Sequence, residues 1–195
     1  MKPLCAAVLA LALSASLAAQ QPTNPPSANP ITEVFRARNA TLQRNLAQAF
    51  DSIPGSLFSY RPTPAQQSIG FIAQHLASDN YYFCNNFGDM KGTRAAADTT
   101  TADSVKATWA KETLIAKLKE SFTFCENAFA QLDDRKLADQ ITTTFRGQSR
   151  QAARASMALG HLLDMTDHYS QIANYMRLNK LVPPTALPRP TPRTN

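Results

Sequence analysis

The sequence predicts an all-α protein built as a four-helix bundle, and three observations carry that reading. Glycine is scarce, at six of 195 residues. Apolar residues recur at three- and four-residue intervals through four long segments, the spacing of one buried helix face. No stretch shows sustained alternation of β-branched residues between turn signals, as a half-buried strand would. Four helices with apolar faces, joined by connections of unequal length, bury those faces most simply against one another.

The first helix is expected from about Ile31 to Asp51, with Val34, Phe35, Leu42, Leu46 and Phe50 on its apolar stripe and Pro54-Gly55 ending it. Tyr60-Arg61-Pro62 then reads as an extended connection. Thr63-Pro64 reads as an N-cap followed by proline at the first helical position, with Gln66 three residues after the cap as in a capping box. A second helix follows to about Asn86, presenting Ile69, Ile72, Leu76 and Phe83. Residues 87 to 101 mix Gly, Asp and Thr without periodicity and read as a long surface loop. The third helix is expected from Ala102 to about Leu132, its stripe running from Val105 and Trp109 to Cys125 and Phe129. Residues Leu137 to Phe145 are ambiguous, because Ile141-Thr142-Thr143-Thr144-Phe145 favours extended structure and Gly147 breaks it. The last helix is expected from near Ser149 to about Asn179.

The chain ends are of a different kind. Lys2 is followed by an apolar run from Leu4 to Leu13 and then by small residues up to Ala19. That pattern is a secretory signal with a cleavage site near Ala18 or Ala19, and the run is shorter than the roughly 20 residues a membrane-crossing helix needs. The organisation expected is a signal peptide over 1–19, a Pro/Asn/Ser-rich leader over 20–30, one helical domain over 31–182 and a Pro-rich tail over 183–195. The protein is therefore expected to be exported from a bacterial cell, periplasmic or secreted, without a stable membrane span. Basic residues number 20 and acidic ones 14, so without Lys2 the net charge is 19 − 14 = +5. That charge is spread along the chain and reaches into the tail, so it forms no basic stripe and argues against nucleic acid as a partner. A homodimer remains compatible with the sequence.

After removal of the signal, Cys84 and Cys125 remain. An oxidising compartment permits a disulfide between them, and two buried thiols are the alternative.

The chain has three histidines, all on expected helices: His75 on the second, His161 and His168 on the last. Residues three or four apart share a helix face, so Asp164 and His168 can converge on one ion. His161 and His168 stand two turns apart, about 10.5 Å along the axis, too far to share it. A set of His75, Asp164 and His168 offers two imidazoles and one carboxylate with open positions, which suits zinc or non-haem iron; nickel and manganese are the other candidates. Ordinary partly buried histidines beside a solvated carboxylate are the plain alternative. Asp167 points about 100° away from His168 and reads as a surface charge or a supporting partner. Ser170 has no identifiable base beside it, and Tyr169 and Gln171 are candidate pocket or supporting groups.

Several stretches resemble one family. Tyr60-Arg61-Pro62-Thr63-Pro64, Phe71-Ile72-Ala73-Gln74-His75-Leu76-Ala77 and Tyr81-Tyr82-Phe83-Cys84 occur in order. Near the C-terminus, residues 167 to 179 (DHYSQIANYMRLN) lead into Val182-Pro183-Pro184. Together they resemble the DinB-like (DNA-damage-inducible, YfiT-like) superfamily, whose closing signature is HYGQ…YLR…PP. The resemblance implies a four-helix bundle with a metal held by three histidines, one on the second helix and two spaced by four on the last. His75 and His168 match directly. Asp164 stands at the third histidine position, and Ser170 replaces the glycine of the signature. Family members include thiol-dependent transferases and an isomerase that use cytoplasmic thiols, which an exported protein would not meet. The family name describes induction and implies no DNA binding.

The function expected is a metal-dependent enzyme of the cell envelope, a hydrolase or transferase acting on an unknown small molecule, with a divalent ion on His75, Asp164 and His168. The alternative is a non-catalytic helical-bundle binding protein that has lost the metal site and carries no ion.

Overall fold

The structure, a computed structural model, describes residues 27–145 and 147–188. The signal peptide, residues 20–26 of the leader and residues 189–195 of the tail lie outside the described residues. The first helix, α1, spans Pro30–Ser52. Proline at its first turn gives up an N–H that has no intrahelical partner anyway. At the other end Ile53 is extended, as a residue before proline must be, while its N–H still bonds to Ala49 O at 3.1 Å. Leu42, Leu46, Ala49 and Phe50 are buried, whereas Val34, expected on the same stripe, is 65% exposed.

The second helix, α2 (Ile69–Phe87), starts later than expected. Its cap is Ser68, whose hydroxyl accepts from the Phe71 N–H at 3.2 Å. Thr63 and Gln66 do meet, hydroxyl to amide oxygen at 3.1 Å, but they close an isolated turn. Backbone bonds from Ile69 to Tyr60 O and from Gly70 to Phe58 O hold the preceding loop back across the start of the helix. Gly70 is required there: a Cβ would stand 2.3 Å from Ala107 O, where backbone cannot give way.

Two short helices, α3 (Ala96–Thr100) and α4 (Asp103–Lys106), stand where a loop and the start of a long helix were expected. The long helix itself, α5, begins only at Lys111 and runs to Ala130. Lys106 explains the interruption. Its ammonium is buried, bonded to Asp103 Oδ1 at 2.8 Å and to Asp98 O at 3.2 Å, which turns α4 inward against α2. Val105 is left 52% exposed.

A β-hairpin corrects the all-α expectation. Strands β1 (Gln140–Phe145) and β2 (Gln148–Ala153) pair antiparallel, Gln140 opposite Ala153 and Phe145 opposite Gln148. The β-branched run Ile141 to Thr144 favours extended backbone, and Gly147 turns the chain at φ +76°. The last helix, α6 (Arg154–Leu178), consequently starts five residues after Ser149. Arg154 anchors that start through Phe87 O at 2.9 Å and Asp89 Oδ1 at 2.6 Å.

The chain is thus mostly helical with one small sheet. Each of α1 and α2 packs against both α5 and α6 around a core of Leu46, Phe50, Ile72, Leu76, Leu118 and Met165. Cys84 on α2 and Cys125 on α5 form a disulfide with Cα atoms 5.4 Å apart, so the pairing, not two free thiols, is what the core holds. No helix among the described residues is long and apolar enough to cross a membrane.

Candidate metal centre

Helices α2 and α6 run antiparallel. The ring of His75 meets that of His168 edge to face at 4.9 Å, while Phe83, two turns further along α2, meets His161, two turns back along α6. That crossing brings His75, Asp164 and His168 together: each offers a ligand atom, and these atoms all lie within 4.8 Å of one another. His168 Nε2 stands 3.5 Å from Asp164 Oδ1, the i, i+4 geometry the sequence offered. Among the described residues the other oxygen, Asp164 Oδ2, is buried and has no hydrogen-bond partner. A buried carboxylate oxygen left unpaired is costly, and a cation is the partner such an atom lacks.

The imidazole of His168 is oriented from behind. Its Nδ1 lies 3.2 Å from Gln171 Oε1, an acceptor, so Nδ1 carries the hydrogen and Nε2 keeps its lone pair toward Asp164. Gln171 in turn donates from Nε2 to Asp167 Oδ2 at 3.1 Å. Asp167 and Gln171 thus form a hydrogen-bonded chain behind the His168 ring. Tyr169 is a structural residue: its hydroxyl donates to Thr185 Oγ1 at 2.9 Å and accepts from the Thr185 N–H at 3.1 Å, pinning the chain after α6. The Ser170 hydroxyl is exposed and bonds back to Thr166 O.

Sequence reasoning missed Asp79. Its Oδ2 lies 3.4 Å from His75 Nε2, both side chains being about one-third exposed. The signal was present, because Asp79 stands four residues after His75 on one helix face. Burial pushes the Asp79 carboxyl above its ordinary pKa, with His75 and His168 pulling the other way. Burial, reinforced by the charge of Asp79 and opposed by His75, pushes Asp164 up to about 6. Two carboxylates and two imidazoles thus cluster at a partly buried position, and a divalent cation on His75, Asp164 and His168 would offset the negative charge there. The donor set fits a metal ion.

Cys84, Cys125 and His161 form a second close group, but its sulfurs are bonded to each other and offer no thiolate. His161 is fully buried among Phe83, Phe87 and Phe129, with Nε2 3.0 Å from Asn39 Oδ1. It takes no part in the His75 site. Burial lowers its pKa from 6.5 to about 3. The unfolded chain therefore gains a proton at His161 below about pH 6.5 that the folded chain refuses until about pH 3. Its stabilising contribution is complete above pH 6.5 and is lost as pH falls toward 3. Thermal unfolding from pH 7 to 4 should show a shallower acid decline in His161→Gln than in the parent; parallel declines would contradict a neutral buried imidazole.

The DinB superfamily model matches residues 38–172. No curated protein matches the chain by sequence. Among solved structures, a DinB-like protein from Bacillus cereus ATCC 10987 superposes with a TM-score of 0.61 at 16% identity, covering 78% of this chain and 95% of that one. A DinB-like protein from Bacillus subtilis gives 0.58 at 14% identity, covering 83% and 99%. A mycothiol-dependent maleylpyruvate isomerase gives 0.57 at 11% identity, covering 72% of this chain and 60% of the isomerase. At such identities the structures speak for the fold alone. The match of the family model over most of the chain, joined to that shared fold, places the protein in the DinB superfamily.

Proposed function

We propose that the protein is a metal-dependent enzyme of the bacterial cell envelope, a four-helix bundle of α1, α2, α5 and α6 that holds one divalent ion on His75, Asp164 and His168 and acts on a small molecule. The observation that carries the reading is the convergence of these three side chains from two helices, with Asp164 Oδ2 buried and unpaired among the described residues. A bound divalent ion would supply Lewis acidity to a substrate oxygen. The residues supply the rest. Gln171 fixes the His168 ring, His75 and His168 present nitrogen donors, and Asp79 sets a carboxylate beside His75 that can hold a proton. Two nitrogens with carboxylate oxygen suit zinc or non-haem iron, with nickel and manganese as further candidates.

Export rests on the N-terminal segment, and the Cys84–Cys125 disulfide supports it, because such bonds persist in oxidising compartments. The mycothiol dependence of the maleylpyruvate isomerase belongs to that protein and is not carried over. The second reading, a binding protein without metal chemistry, is favoured by the carboxylate that stands where the family resemblance places a third histidine.

Elemental analysis of the purified chain separates the two. About one equivalent of a transition metal per chain is expected, as isolated or after incubation with Zn²⁺, Fe²⁺, Ni²⁺ or Mn²⁺. Less than about a tenth of an equivalent under every condition would leave the binding-protein reading.

A further inference from the structure

A cavity of about 910 Å³ opens beside the metal centre, where the loop before α2 meets the junction of α4 and α5. None of His75, Asp164 and His168 lines it, and Phe71 is the side chain that touches both it and His75. The Phe71 side chain borders the cavity, and its ring stacks on His75 with centroids 6.0 Å apart at 27°. The cavity has the size of a small-molecule site, which typically spans about 300–1,000 Å³. Its walls mix three aromatic side chains, Phe58, Phe71 and Trp109, with hydroxyl and amide groups such as Ser68, Thr108 and Gln67, and its charged lining residues are of one sign. Arg61 and Lys111 border it, and among the described residues no aspartate or glutamate does.

Neither cation is neutralised by a carboxylate among the described residues. Lys111 Nζ donates to two carbonyls, Asp51 O at 2.9 Å and Ile53 O at 2.7 Å, and lies over the Phe58 ring at 5.9 Å. Arg61, exposed at the mouth, makes one long bond to Pro64 O at 3.4 Å. Its fork is otherwise available, and such a planar donor pairs best with a carboxylate or phosphate. The three aromatic faces can pack an apolar body, and two unneutralised cations select an anionic head.

We propose that this cavity is the substrate cleft of the metal centre and takes a small organic anion, its carboxylate or phosphate held by Arg61 and Lys111 and its apolar body packed on Phe58, Phe71 and Trp109. As a substrate cleft it rests on the metal-dependent reading above; as an anion site it does not. Lys111 also ties α5 to the end of α1, so Arg61 is the residue to replace.

The chain has one tryptophan, and it lines the cavity, so its emission reports on occupancy. Titrations with phenylacetate, phenyl phosphate and neutral 2-phenylacetamide should give saturable changes for at least one anion, with the amide at least tenfold weaker. The tighter anion names the head group. Arg61→Gln should weaken that anion about tenfold and leave the amide unchanged, and Arg61→Lys should restore part of the loss. No saturable response to either anion, equal binding of the amide, or indifference to Arg61→Gln each overturns the proposal. Metal content is measured on the same samples. Uptake of metal without anion binding removes the cleft and leaves the metal centre standing; anion binding without uptake removes the metal centre and leaves a binding site for the same anions.

Discussion

His75→Ala and His168→Ala are each expected to lower Zn²⁺ affinity at least about 100-fold, because each deletes one of only two nitrogen donors in a set that converges within 4.8 Å. His161→Ala should leave affinity within about threefold, since that ring faces Asn39 and the aromatic core. Asp79→Asn should cost about tenfold, the usual scale for a group that supports or extends a metal site from one layer out. Competition of each variant against a calibrated chelator measures the series. Full affinity in His168→Ala would mean that another group holds the ion. The same assay has a pH signature. Asp164 is pushed up to about 6, so at lower pH the ion must displace its proton, and affinity falls as pH drops through 6 while Asp164 contributes no further change well above it. A chain that binds without Asp164 would lack that dependence.

The candidate ligands were legible because helix spacing is a local property. Asp164 and His168, four apart, share a face in any α-helix, and Asp79 stands in the same relation to His75. Distance across the fold is not local: only the antiparallel crossing of α2 and α6 makes one group of the two pairs. The departures have the same origin. Nothing between Lys106 and Lys111 breaks a helix by propensity, and what interrupts it is a buried ammonium bonded to Asp98 O, a partner eight residues away on another element. Thr63 carries a cap signature, but the loop it sits in is held by Phe58 and Tyr60 carbonyls, so the cap passes to Ser68. Ile141 to Phe145 announced extended structure in their β-branched run; they lacked an announced partner, which lies just past Gly147 in a stretch of mixed polarity. Arg61 and Lys111 are 50 residues apart and gave no sign that they border one cavity.

Removing the Cys84–Cys125 bond is the other change with a large expected effect. The two residues are 41 apart in sequence, and releasing a loop of that size from the unfolded chain costs the fold about 4 kcal/mol on the chain-entropy estimate. Both cysteines sit at zero exposure between α2 and α5, so a Cys84→Ala/Cys125→Ala chain also loses packing in the core beside His161. Urea unfolding of the oxidised protein against the double variant should show a fall of about 3–5 kcal/mol; a difference under about 1 kcal/mol would mean the bond does not restrain the unfolded chain as supposed. Counting thiols in the denatured, unreduced protein links this bond to export, because the chain has three cysteines and Cys5 lies in the expected signal. A processed, oxidised chain has no free thiol. One thiol per chain means that the disulfide is present and the N-terminal segment retained, and two or more means that the bond is absent. A bond worth several kcal/mol in a fold of ordinary stability, typically about 5–15 kcal/mol, would be kept best in the oxidising compartment proposed above, so the count bears on that proposal as well as on how the chain holds together.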